Sequence, residues 1–175
     1  MDAATARLLL VRQLQGAYSG ERAAGLAYAG HWRSVADPAE REHIARIEAE
    51  EWHHRELVGQ MLKDLGAGPN PWREALFLAI GSLVGPLCHV SGRFFPMYGA
   101  GRLERGNVGE YELAARYAVA AGHPELVDGL LTMAEVEWDH EQYFRSRVEG
   151  HWLLRLVPLW PPLPSRGSIR EERAA

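Results

Sequence analysis

The sequence is poor in several features that define large classes of proteins. It has a single cysteine, Cys88, which excludes a disulfide framework and a four-cysteine metal site. Its formal net charge of −4 provides no excess of basic residues for nucleic acid. No apolar run reaches the ~20 residues that span a bilayer, and the amino-terminal run is too short for a signal peptide. We therefore expect a cytoplasmic protein, with peripheral contact at the inner face of the membrane left open.

The chain is long enough to bury one sizeable core. It has 175 residues, of which 47% are hydrophobic, and helical periodicity runs through most of them. We predict a single all-α domain over residues 1–164. Residues 165–175 are polar, and we expect them to be disordered.

Two short segments that contain potential metal ligands resemble each other. One is Glu51-Trp52-His53-His54, and the other is Glu137-Trp138-Asp139-His140. Each contains Glu-x-x-His, and residues three apart lie on the same face of a helix. Two such pairs, with one glutamate from each of two further helices, form the ligand set of a di-iron or di-manganese site in a helical bundle.

Each pair interrupts an otherwise apolar helical stripe. Positions 44, 47, 51, 54, 58, 61 and 65 are Ile, Ile, Glu, His, Val, Met and Leu. Positions 126, 130, 133, 137, 140 and 144 are Leu, Leu, Met, Glu, His and Phe. Such stripes face a core, and burying a glutamate or histidine there without a partner costs about 2–7 kcal/mol.

Two other Glu/His pairs have the same spacing but a different environment. Glu50 and His53 fall on the stripe of positions 43, 46, 50, 53, 57, 60 and 64, which is mostly polar and predicts a solvated face. Glu40, three residues before His43, lies at the predicted start of its helix, where an acid interacts favourably with the helix dipole. We therefore do not assign either pair to the metal site.

The remaining secondary structure follows from caps and breakers. We predict helices over residues 4–33, 38–65, 108–121 and 124–149, with Asn107 capping the third. Residues 72–106 are predicted to form an apolar crossover broken around Pro86, Gly92 and Pro96. An apolar, aromatic tail follows over residues 151–164.

An internal repeat supplies the other two glutamates. Gly20-Glu21 is followed by Tyr28-Ala29, and Gly109-Glu110 is followed by Tyr117-Ala118. The chain therefore has the pattern of two helical hairpins, each containing Gly-Glu-x6-Tyr-Ala and then Glu-Trp-x-His. The repeat favours Glu110 as the third-helix ligand, and Glu112 remains the alternative.

The charges of this set favour a pair of metal ions. Four carboxylates in a core would be untenable as bare charges, whereas two divalent ions would neutralise them. The mixture of oxygen and imidazole ligands favours iron over a closed zinc site, with manganese as the alternative.

Across residues 15–150 the sequence resembles the ferritin-like di-iron superfamily, and within it the demethoxyubiquinone hydroxylase family. The resemblance rests on the following segments: Gly20-Glu21, Glu51-x-x-His54, Val108-x-Glu110-x-Glu112, Glu137-x-x-His140 and the apolar crossover beginning at Trp72. It implies a ferritin-like four-helix bundle. It also implies that Glu51 and Glu137 bridge two irons, with Glu21, Glu110, His54 and His140 as terminal ligands.

The resemblance further implies an O₂-dependent monooxygenase that hydroxylates a prenylated benzoquinol at a membrane surface. Residues 75–98 and 152–163 are the apolar stretches that could contact lipid. The electron donor is not indicated, and the oligomeric state is left open, a dimer being compatible with the pattern. A ferroxidase is the first alternative function. The second is a metal-free bundle, in which the six polar core residues would pair among themselves.

Overall fold

The computed structural model describes residues 1–171, and within that range it contains helices and no strands. This confirms the all-α prediction. The helices are α1 (Ala3–Ser34), α2 (Pro38–Asp64), α3 (Pro71–Leu87), α4 (Phe94–Ala120), α5 (Val127–Val148) and α6 (Ser168–Glu171). Short 3-10 segments occupy Pro124–Leu126 and Trp152–Arg155.

Local sequence signals set most helix ends. Asp37 caps α2 by accepting a hydrogen bond from the Glu40 amide, and Pro38 occupies the first turn. Asn70 caps α3 in the same way. Gly92 and Gly122 adopt positive φ angles of 74° and 81°, a conformation that favours glycine and reverses the chain after α3 and α4.

The long helices form two hairpins. Short turns join α1 to α2 and α4 to α5, so that each pair is antiparallel. Helix α1 also packs against α3 and α4, and α5 packs against α2. The helices α1, α2, α4 and α5 therefore surround a common interior, and α3 lies outside it against α1.

A polar layer divides this interior into two apolar clusters. The first cluster contains Leu14, Val58 and Leu130, and the second contains Ile47 and Phe144, all fully or almost fully buried. Six buried polar residues lie between the clusters along the helices: Glu21 on α1, Glu51 and His54 on α2, Glu104 on α4, and Glu137 and His140 on α5.

The prediction that a third helix begins at Asn107 is wrong, because α4 is continuous from Phe94. Pro96 lies in its first turn, where the missing backbone N–H has no intrahelical partner to lose. Gly101 is required by packing, since a Cβ there would overlap the ring of Trp160 and lie 3.0 Å from the Cβ of Phe144. Of the predicted breaks in the crossover, only Gly92 falls between helices.

Helix α3 packs closely against α1 because glycines line the contact. A Cβ on Gly81 would lie 2.7 Å from the Ala23 carbonyl oxygen, and a Cβ on Gly30 would overlap the Gly85 carbonyl. Its outer face is apolar and exposed, with Trp72, Leu76, Leu83, Leu87 and Val90 all more than half accessible. Among the helices of residues 1–171, none combines the length and the hydropathy that crossing a membrane requires.

The carboxyl-terminal tail covers α4 and α5. Trp160 is buried and donates a hydrogen bond to Glu141, while the Arg145 guanidinium bonds to the carbonyls of Trp160 and Pro161 at 3.0 Å. Ile169 of α6 is also buried. The disorder expected for residues 165–175 stays a prediction, and residues 172–175 lie outside the described residues.

We expect Gly30→Ala to destabilise the protein, because the added methyl group must push α3 away from α1. Overpacking of this kind costs about 1–3 kcal/mol, which should lower the midpoint of thermal unfolding. Gly109→Ala is the matched control, since no atom lies within 4 Å of its added Cβ. In that exposed helical position, replacing glycine by alanine should raise the free energy of unfolding by about 0.5–1 kcal/mol. Equal melting temperatures for the two variants would contradict the close α1–α3 contact.

Candidate metal centre

Six buried side chains from four helices converge in the polar layer. They form two groups, each with ligand atoms that all lie within 4.8 Å of one another. One group is Glu21, Glu51, His54 and Glu137, and the other is Glu51, Glu104, Glu137 and His140. The two groups share Glu51 and Glu137. The arrangement therefore has two adjacent positions for cations, with two carboxylates common to both.

Several of the converging atoms have no hydrogen-bond partner. Both carboxylate oxygens of Glu51 are buried and unpartnered, as are Oε2 of Glu21 and Nδ1 of His140. A buried acceptor left unpaired costs about 1–3 kcal/mol, and these four atoms all lie in the layer. Because divalent cations bind carboxylate oxygen and imidazole nitrogen directly, the residues present fit a pair of metal ions.

Burial is the first influence on the pKa values of the carboxylates in the layer. Burial raises the pKa of Glu51 well above its usual value, and the neighbouring carboxylates of Glu137 and Glu21 raise it further. Burial likewise raises the pKa of Glu104, which also faces Glu137. Although burial raises the pKa of Glu137, hydrogen bonds from His140 and His54 outweigh it and hold that pKa below its usual range. The metal-free layer thus retains protons that bound cations would displace.

Both imidazoles turn Nδ1 towards the shared carboxylates. Nδ1 of His54 lies 2.9 Å from Oε1 of Glu137. Nδ1 of His140 lies 3.3 Å from Oε1 of Glu51 and 3.6 Å from Oε2 of Glu137. The ring centroids are 6.5 Å apart. Each imidazole therefore belongs to one of the two groups and presents the nitrogen that a cation would bind.

Two buried tyrosines hold the carboxylates that the groups do not share. Tyr28 on α1 donates a hydrogen bond to Glu104 on α4, and Tyr111 on α4 donates one to Glu21 on α1. Burial and the adjacent carboxylates raise the pKa of both hydroxyls well above the usual value, so they remain protonated donors. Asn107 adds a hydrogen bond to Glu104 at 2.8 Å. These contacts hold one oxygen of Glu21 and both oxygens of Glu104.

The structure does not bring Glu110, the predicted third-helix ligand, into the cluster. Glu110 is exposed, and its carboxylate contacts Gln13 at 3.4 Å. Glu104 is completely buried and occupies the expected position in the cluster. The alternative, Glu112, is only partly buried and belongs to neither group. The five other predicted residues, Glu21, Glu51, His54, Glu137 and His140, lie together as expected.

A signal for Glu104 was present in the repeat. Glu21 precedes Tyr28 by seven residues, and Glu104 precedes Tyr111 by the same number. Glu110 and Tyr117 also have this spacing, and the Gly-Glu and Tyr-Ala dipeptides favoured them. The apolar stripe through Glu104 contains Met97, Gly101, Val108, Tyr111, Ala115 and Ala118, all buried. The sequence shows this stripe only if the helix is taken to begin well before Asn107, as α4 does.

One residue that periodicity placed on a solvated face touches the site. The Glu50 side chain is half exposed, as predicted, but its Oε2 lies 2.7 Å from Nε2 of His140. His53 remains on the surface beside Glu56. Neither His53 nor Glu50 belongs to a ligand group, as the stripe argument expected, but Glu50 contacts His140 from its half-exposed position.

A cavity of about 480 Å³ lies beside the layer, between α1, α3 and α4. Its walls are mostly apolar and include Phe77, Ile80 and Leu103. At the layer it is lined by Glu21 and by the two tyrosines described above. Leu103 is half exposed, so the cavity reaches the protein surface. The arrangement can hold an apolar small molecule next to Glu21.

The comparisons with known proteins assign no relative. No family model matches the chain, and neither the curated proteins nor the solved structures give a significant match. The assignment of the site therefore rests on its own residues and geometry.

We expect Glu104→Ala to lose bound metal and Glu110→Ala to retain it. Glu104 provides a buried carboxylate oxygen within the second group, whereas Glu110 lies six residues further along α4 on the surface. Elemental analysis of the two purified variants, beside the unmodified protein, measures the difference. Metal loss in Glu110→Ala with normal content in Glu104→Ala would mean that the register of α4 is wrong.

Proposed function

We propose that this protein is a di-iron, O₂-activating monooxygenase with a ferritin-like four-helix bundle fold. The observation that carries the proposal is the pair of ligand groups that share Glu51 and Glu137 and leave four buried polar atoms without partners. Helices α1, α2, α4 and α5 would be the four helices of that bundle. The resemblance to demethoxyubiquinone hydroxylases supports the same fold and the same kind of site.

Each protein side chain has a definite part in holding the metals. Glu51 and Glu137 would bridge the two ions, because they belong to both groups. Glu21 and His54 would complete one position, and the other would be completed by Glu104 and His140. Four carboxylates balance the charge of two divalent ions, so the loaded site would be neutral apart from its exchangeable ligands.

When bound, the two irons would supply the redox chemistry of O₂ reduction. In the overall reaction a substrate R–H, O₂, two electrons and two protons give R–OH and one water, with the electrons taken from an external reductant. The chain's own residues hold one oxygen of Glu21 and of Glu104 through tyrosine hydroxyls, which limits how far these carboxylates move. The apolar cavity orients the substrate beside Glu21 and excludes bulk water.

The substrate that fits best is an apolar small molecule, and a prenylated quinol of the demethoxyubiquinone type is the first choice. The cavity walls are apolar, and the cavity extends along α1 from Gly16 to His31. Fifteen residues of helix correspond to about 22 Å, which suits an elongated molecule. The exposed apolar face of α3 borders the same cavity, so a lipid-dissolved substrate could enter from a membrane surface.

The alternatives fit the same observations less well. A ferroxidase needs an entry path for hydrated iron, whereas the cavity next to Glu21 is mainly apolar. A metal-free bundle would pair its buried polar groups with one another. His54 and Glu137 do pair, yet both oxygens of Glu51 remain without a partner.

We expect aerobically purified protein to contain two irons per chain and Glu51→Ala to lose that stoichiometry, because Glu51 belongs to both groups. Glu42→Ala is the control, since that glutamate is exposed and pairs with Arg46 on the surface of α2. Iron analysis and the near-ultraviolet absorption spectrum report on the site. With a chemical reductant, the iron-loaded protein should consume O₂ and convert a prenylated benzoquinol to its hydroxylated product. Iron-loaded protein that consumes O₂ without forming hydroxylated product would favour the ferroxidase.

We expect the protein to bind phosphatidylcholine vesicles through α3. The double variant Leu83→Ser and Leu87→Ser removes two exposed side chains of its outer face and should reduce co-flotation with vesicles. Leu8→Ser with Leu57→Ser is the matched control, because these exposed leucines lie on α1 and α2. Equal flotation of the two double variants, or none by the unmodified protein, would contradict a membrane contact through α3.

A further inference from the structure

The two ring nitrogens of His140 face different carboxylates, and only Nε2 makes a hydrogen bond within the described residues. Nδ1 faces the shared carboxylates of Glu51 and Glu137, at 3.3 and 3.6 Å. Nε2 lies 2.7 Å from the carboxylate of Glu50, which reaches across from α2 to α5. Glu50 contributes to neither ligand group. Its contact is therefore with the back of the ring rather than with the space where a cation would bind.

A bound cation would determine where the imidazole carries its proton. A neutral imidazole has one N–H and one lone pair for binding a cation. A cation on Nδ1 would leave the single N–H on Nε2, where the carboxylate of Glu50 accepts its hydrogen bond. The same contact fixes the rotation of the ring. Carboxylates that bond to the remote nitrogen of a histidine ligand in this way raise its basicity and metal affinity.

The repeat provides no carboxylate for His54 at the position that corresponds to Glu50. Glu50 immediately precedes Glu51 of the first Glu-x-x-His, whereas the residue that precedes Glu137 of the second is Val136. A valine side chain cannot accept a proton from a ring nitrogen. The two halves of the site thus have the same ligand types, but among residues 1–171 a hydrogen bond from a carboxylate to the remote nitrogen is found for His140 and not for His54.

We propose that Glu50 is a positioning residue for His140 and makes the two metal positions unequal in affinity. The position formed with Glu104 and His140 binds its ion more tightly and fills first. The position formed with Glu21 and His54 fills second. This inference rests on the proposed metal pair, and its test is a binding measurement that does not depend on oxygenase activity.

The experiment is a titration of the metal-free protein with Co²⁺, followed by absorption and calorimetry. The unmodified protein should bind two ions in two resolvable steps. In Glu50→Ala the tighter dissociation constant should rise by about 10–100-fold, while the weaker one stays unchanged. Glu50→Gln should be intermediate, since its amide oxygen still accepts the hydrogen bond without a charge. Glu56→Ala removes another exposed glutamate of α2 and should leave both steps unchanged.

A spectroscopic measurement separates positioning from a general loss of stability. Imidazole N–H protons of histidines bound to Co²⁺ give strongly shifted, exchangeable proton resonances. Glu50→Ala should broaden or lose the resonance of His140 by faster exchange with water, and the His54 resonance should remain. Thermal melts of the metal-free variants show whether Glu50→Ala and Glu56→Ala are equally folded.

The possible outcomes distinguish this inference from the function on which it rests. If the unmodified protein binds no Co²⁺, the proposed metal centre fails and the inference fails with it. If it binds two ions and Glu50→Ala binds them with unchanged constants, only the role of Glu50 is overturned. A parallel weakening of both steps would also overturn it, because the proposal requires one position to be affected.

Discussion

The constraint on which the structure depends is the burial of four carboxylates and two imidazoles in one layer between two apolar clusters. Burial raises the pKa of Glu51 and Glu104, and neither carboxylate oxygen of Glu51 has a hydrogen-bond partner among residues 1–171. Such a layer is unfavourable in a metal-free protein, and the apolar clusters on both sides must offset its cost. The arrangement is consistent with a site whose stability depends on bound cations, because binding would supply the missing partners and neutralise the charge.

Two tyrosines, each bonded to a glutamate on the opposite helix, keep α1 and α4 in register at this layer. Tyr28 bonds to Glu104 and Tyr111 bonds to Glu21, and each tyrosine lies seven residues after the glutamate on its own helix. Seven residues are about two helical turns, or roughly 10.5 Å. The two hydrogen bonds therefore tie α1 to the antiparallel α4 at two levels. A shift of either helix by one turn would break both bonds and separate Glu21 and Glu104 from the shared carboxylates.

Periodicity identified most of the site, and its failures have physical causes. The stripes through Glu51 and Glu137 are apolar on both sides of each Glu/His pair, so the inward direction of these pairs could be predicted from spacing alone. Glu104 was missed because Gly92, Pro96 and Gly101 have low helix propensity, whereas packing against Trp160 requires a small residue at position 101. Glu50 was missed for another reason. Periodicity gives the direction of a Cβ atom, but a glutamate side chain can extend from a half-exposed position to a buried ring.

The positions of the cavity and of Glu50 suggest a division of roles between the two halves of the site. Of the six converging residues, only Glu21 lines the cavity, so a molecule bound there approaches the half that contains Glu21 and His54. Glu50 supports His140 in the other half. The half next to the cavity is thus the one that Glu50 does not contact. Under the proposed assignment, an ion held less tightly there would change its ligands at less cost, which would suit the entry of substrate and O₂ in the proposed monooxygenase.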